Sequence, residues 1–69
     1  MGHRTERGTK PLKAPEVEAL RSWIQQDTEA AVVAELGLSR HAVARLAAGF
    51  VVHAASRVAA RAGLARRAA

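Results

Sequence analysis

Arg40, His41 and Arg45 stand at i, i+1 and i+5 in the run AELGLSRHAVARL, residues 34–46, and are the side chains best placed to do chemistry together. At about 100° per residue, a helix through them carries Arg40, Ala44, Ala48, His41 and Arg45 across an arc of about 140°. Ala42, Val43, Leu46 and Ala47 fall on the other side. A guanidinium donates a planar fork of hydrogen bonds that fits phosphate oxygens or the O6 and N7 edge of guanine. An imidazole can donate to either, and Ala44 is small enough to let the helix come close to a surface or touch a thymine methyl. The chemistry on offer is recognition rather than bond making.

No other set of residues offers catalysis. His3, His41 and His53 are scattered, and none stands at helical metal-ligand spacing from a glutamate or a second histidine. There is no cysteine, which excludes a disulfide framework and the usual zinc-finger ligands and fits a reducing compartment. A glycine-rich phosphate loop and a close acidic pair are also missing, and 69 residues leave little room for a substrate cleft. We therefore expect no enzymatic activity, no cofactor and no metal site, and no small-molecule ligand is evident.

Positioning these groups requires short helices. Residues 1–13 lack apolar periodicity and carry Arg4, Arg7, Lys10 and Lys13 against Glu6, so they read as a flexible basic arm ahead of a domain over 14–69. Pro15, the acids Glu16 and Glu18 in the first turn, and the stripe Val17, Leu20, Ile24 predict a first helix over 15–26. Asp27 and Thr28 are good N-cap types for a second helix over 28–36, which Gly37 closes. Ser39 then caps a third helix over 39–48, ended by Gly49. An apolar connection at 50–52 leads to a fourth helix that starts near Ser56 and is patterned up to Gly63; residues 64–69 read equally as helix or frayed end. No strand pattern appears. The fold class is therefore all-α, a bundle of four or five short helices.

A chain this short buries only about 60% of its unfolded surface, so its large core residues can be counted. They are Val17, Leu20, Trp23, Ile24, Val32, Val33, Leu36, Leu38, Val43, Leu46, Phe50, Val51, Val52, Val58 and Leu64. Such a thin core invites completion by a second copy, and we expect a homodimer. The longest apolar stretches fall far below the roughly 20 residues of a membrane span, and no signal peptide is found, so a soluble cytoplasmic chain is expected.

Charge is strongly polarised along the chain. All six carboxylates precede Leu36, whereas residues 36–69 carry Arg40, Arg45, Arg57, Arg61, Arg66 and Arg67 and no acid, within a net charge of +5. Such polarity points to one cationic surface facing a polyanion. The competing reading is a plain solvated basic surface in an alanine- and arginine-rich protein.

The segment EAAVVAELGLSRHAVARLAAG resembles the helix-turn-helix of the phage repressor and Cro superfamily, including the small Xre-type, lambda repressor-like regulators. Val32, Leu36, Leu38, Val43 and Leu46 supply its apolar positions, Gly37 its turn and Ser39 its cap. AAGFVVHAASRVAARAGL is similar to the loop and helix after that motif, which extends the likeness to most of residues 15–64. The sequence departs from the pattern at Val33, where the family usually has a small residue at the helix crossing, and at Val51, where proline is common.

That resemblance implies a recognition helix lying in the major groove, with Ser39, Arg40, His41, Ala44 and Arg45 at base-reading positions. It places Thr28 and Glu29 where backbone amides meet a phosphate. Arg57, Arg61, Arg66 and Arg67 are read as further phosphate contacts, and Arg4 and Arg7 as an arm for an adjacent minor groove or an unbound tail. The expected function is a sequence-specific, dimeric regulator of transcription on double-stranded DNA, a repressor of bacterial or phage origin associated with the nucleoid. Two alternatives stand beside it: a nonspecific architectural nucleoid protein, and a small protein-protein adaptor.

Overall fold

A computed structural model describes residues 9–69. Four helices dominate it, α1 (Ala14–Asp27), α2 (Glu29–Leu36), α3 (Arg40–Ala47) and α4 (Ala54–Ala68), with two-residue strands β1 (Thr9–Lys10) and β2 (Val52–His53). The class is the small all-α bundle expected, with one addition. β1 and β2 pair antiparallel, Thr9 opposite His53 and Lys10 opposite Val52.

Local chemistry accounts for the helix ends. The Lys13 amide donates to Glu16 Oε1 at 2.9 Å, and Pro15 lies in the first turn of α1. A single residue separates α1 from α2: the Thr28 amide donates to the Ile24 carbonyl at 2.8 Å, and its Oγ1 accepts from the Ala31 amide at 3.2 Å. This double duty forces Thr28 to φ 97°, a backbone strain of roughly 1–3 kcal/mol for a non-glycine residue that the cap partly offsets. Gly37 then adopts the left-handed conformation, φ 69° and ψ 27°, and ends α2 as its sequence position requires. Ser39 caps α3, its Oγ accepting from the Ala42 amide at 3.0 Å.

The end of α3 is a Schellman closure. Gly49, at φ 79°, donates to the Leu46 carbonyl at 3.1 Å, and the Phe50 amide donates to the Arg45 carbonyl at 3.0 Å. The chain thereby turns to bring Val52 under β1. Arg57 fastens that corner, with Nη1 donating to the carbonyls of Val52 at 3.0 Å and Lys10 at 3.3 Å.

The core joins all of these elements and contains Leu12, Leu20, Trp23, Val32, Leu36, Val43, Leu46, Val52 and Ala60. Val17, Ile24, Val33, Leu38 and Leu64 pack around it, so Val33 sits partly buried at the position where the helix-turn-helix pattern has a small residue. Several expectations need correction. Phe50, Val51 and Val58 are exposed: the Schellman closure carries Phe50 outward, strand alternation turns Val51 away from buried Val52, and Val58 lies about 200° around α4 from buried Ala60. Helix α4, expected to start near Ser56, begins at Ala54, and the stretch after Gly63, open in the sequence between helix and frayed end, is helical to Ala68. Gly63 is a contact point, since a Cβ there would press into the Leu36 side chain and lie 3.4 Å from the Trp23 ring.

The arm boundary also moves. Residues 9–13 belong to the fold, because Leu12 is 4% exposed in the core and β1 is paired, whereas Arg4 and Arg7 lie outside the described residues. Truncating a buried leucine costs about 2–5 kcal/mol, so Leu12→Ala should lower the unfolding free energy by an amount in that range, read as a lower urea midpoint at unchanged slope. A midpoint equal to wild type would return residues 9–13 to the status of an arm.

Candidate nucleic-acid interface

Helix α3 is anchored on one side and open on the other. Val43 and Leu46 are 0% exposed, while Arg40, His41 and Ala44 face outward, as the angular spacing requires. One end is closed by its own cap and the other is tied to α1. Ser39 caps the N-terminus, and Arg21 Nε, on α1, donates to the Ala47 carbonyl at 2.7 Å. A cation at a helix C-terminus also opposes the negative end of the dipole. Arg21 carries no signal in the sequence, since nothing along the chain connects it to a carbonyl 26 residues away.

The outward side chains differ in freedom. Arg40 is 77% exposed and its Nε lies 3.7 Å from Glu29 Oε1, an exposed pairing of the kind worth about 0–1 kcal/mol. Arg45 is held: Nη2 donates to the Val51 carbonyl at 3.0 Å, and the guanidinium stacks over the Phe50 ring at 5.3 Å. These two residues occupy the Schellman positions whose side chains ordinarily touch, here as a cation on a ring. The spacing Arg45, Gly49, Phe50 was the available signal for this contact. Thr28, for its part, uses its hydroxyl in the α2 cap.

The arginines of α4, read from the sequence as phosphate contacts, each have a partner within the chain. Arg57 serves the β1–β2 corner. Arg61 grips Glu16 with two bonds, Nε to Oε2 at 2.7 Å and Nη2 to Oε1 at 3.2 Å. Arg66 reaches Glu35 at 3.4 Å, and Arg67 reaches Asp27 at 3.2 Å, bonds Gln26 and stacks on Trp23 at 5.3 Å. Trp23 Nε1 donates to the same Asp27 carboxylate at 3.0 Å. The acids of the first half and the arginines of the second are therefore largely each other's partners.

A groove of about 360 Å³ opens beside α3, between Arg45 and His41 on one wall and His53 and Ser56 on the other. His53 stands at the N-cap of α4 without a side-chain bond to its first-turn amides. Among the described residues no group of three or more metal-ligating side chains occurs, and no helix is long and apolar enough to cross a membrane. Comparison with protein-family models, curated proteins and solved structures returned no match.

The Arg61 hydrogen bonds, outweighing the cost of desolvation, hold the Glu16 carboxyl below its ordinary pKa of 4.5, and the Lys13 amide adds to the effect. A depressed carboxylate contributes stability that is fully present above that ordinary value and lost as pH falls through the lower folded-state value. The deficit of Glu16→Gln relative to wild type, read from urea midpoints, should thus be wide at pH 7 and narrow at about pH 3. An equal deficit at both would remove the pairing from the account of stability.

Proposed function

We propose that this chain is a sequence-specific binder of double-stranded DNA that seats α3 in the major groove, acting as a homodimeric regulator of the repressor kind. The observation that carries this reading is the division of α3. Two fully buried residues, Val43 and Leu46, and the Arg21 bond at its C-terminus fix the helix, while Ser39, Arg40, His41 and Ala44 stand open on the other side. A recognition helix needs that combination, since base-edge hydrogen bonds discriminate only when the donors are held in register.

Within this reading the arginines divide their roles. Arg40 is the base reader, free to fork onto guanine because only a weak exposed pairing holds it. Arg45 belongs to the frame and to the rim of the groove, not to the base-reading row. The architectural alternative needs a broad free cationic face, and the two-bond Arg61–Glu16 pair and the stacking of Arg67 on Trp23 count against it. The adaptor reading keeps one support in the exposed Phe50, Val51 and Val58.

Selection from random duplexes should return a defined motif, and an inverted repeat would give the dimer its symmetry. Arg40→Ala should then reduce the preference for that motif about tenfold, in line with the ~1–3 kcal/mol of a bidentate contact, with random-duplex affinity nearly unchanged. Equal losses on both duplexes would sink the assignment of α3 as the reading helix, and failure to bind any duplex at low salt would favour the adaptor.

A further inference from the structure

Glu29 is the first residue of α2 and Arg40 the first of α3, and their side chains meet across the turn between the two helices. The contact involves one atom of the guanidinium. Arg40 Nε lies 3.7 Å from Glu29 Oε1, an ion pair longer than a hydrogen bond, with the two side chains 77% and 39% exposed. Such a pair aims the guanidinium without locking it. An arginine approached by an acid at Nε keeps both terminal Nη groups, and these form the end-on fork that spans O6 and N7 of guanine.

The same carboxylate acts on whatever approaches α2. A helix N-terminus ordinarily favours an anion, and the resemblance to repressor helix-turn-helices implies a phosphate at this one. Here the chain supplies its own groups. Thr28 Oγ1 accepts from the Ala31 amide, and Glu29 places a negative charge in the first turn. A phosphate arriving there meets a like charge, so this chain departs from the implied contact. Repulsion of this kind weakens binding to every duplex, whereas a guanine within reach of the Arg40 fork offsets it at one sequence only.

We propose that Glu29 is a positioning and specificity-determining residue: its carboxylate turns the Arg40 fork toward the base edges and withholds Arg40 from the phosphate backbone. This rests on the reading of Arg40 as the base reader and adds what makes that arginine selective. On a random duplex Arg40 stays with Glu29 and neutralises no phosphate. At guanine the pairing persists through Nε while the Nη groups bond the base. Discrimination then comes from the refused phosphate contact as well as from the accepted base contact.

Glu29→Gln in the full chain tests this, since it keeps the shape of the side chain and removes its charge. Random duplexes should bind roughly three- to tenfold more tightly, with a salt dependence steeper by about one unit as Arg40 gains a phosphate. Preference for the selected motif should fall roughly three- to tenfold. With Arg40→Ala already in place, the same change should leave the preference and the salt slope where Arg40→Ala set them. In the free chain the Arg40 Nε–H NMR signal should move in Glu29→Gln while the remaining amide signals report an intact fold. An unchanged preference in Glu29→Gln, beside the loss expected of Arg40→Ala, overturns the role of Glu29 and spares the DNA reading. Weaker binding to selected and random duplexes alike also overturns it, by making Glu29 a support of the fold. A chain that binds no duplex at low salt overturns both.

Discussion

The close approach of α4 to α1 and α2 at Gly63 is the constraint on which the rest of this fold depends. A 69-residue chain has few large apolar side chains, so its helices must touch closely for the core to exclude water. Gly63 has no side chain to hold α4 away from Leu36 and the Trp23 ring. Once the helix is that near, Arg61, Arg66 and Arg67 come within reach of Glu16, Glu35 and Asp27. Trp23 ties the two effects together, being buried against Gly63, bonded to Asp27 and covered by Arg67.

Freedom at α3 depends on those pairings elsewhere. With Arg61 and Arg67 engaged across the bundle, Arg40 stands open on α3, held only by an exposed pairing with Glu29. Ser39 caps the start of α3, Arg21 ties its end to α1, and the Schellman closure with its Arg45–Phe50 stack fixes the exit of the chain toward β2. A helix held in this manner presents Arg40 and His41 in a constant frame. The N-terminal half of α3 is the open part, and the C-terminal half serves the fold.

The charge pattern shows how one sequence feature supports two physical accounts. Acids before Leu36 and arginines after it read, along the chain, as a dipolar molecule with a cationic face. In three dimensions the same segregation is a set of ion pairs across the bundle, between residues 31 to 45 positions apart. A charge run in a sequence fixes only the sign of its partner, and the packing of the backbone fixes which partner it meets.

What could be read from the sequence alone were features decided within a turn or two of chain. The cap at Ser39, the left-handed turn at Gly37, and the sidedness of α3 from Val43 and Leu46 all depend on neighbours no more than four residues away. Tertiary structure decided the rest. β1 and β2 are too short to carry an alternating pattern, and their pairing joins residues some 42 to 44 positions apart. The burial of Leu12, the exposure of Phe50, the passage of α4 through Gly63 and the capture of Arg45, Arg57 and Arg61 all depend on where remote or closely turned backbone comes to lie. Helix ends are local free-energy choices, whereas the partner of a long charged side chain is chosen by the packing that delivers it.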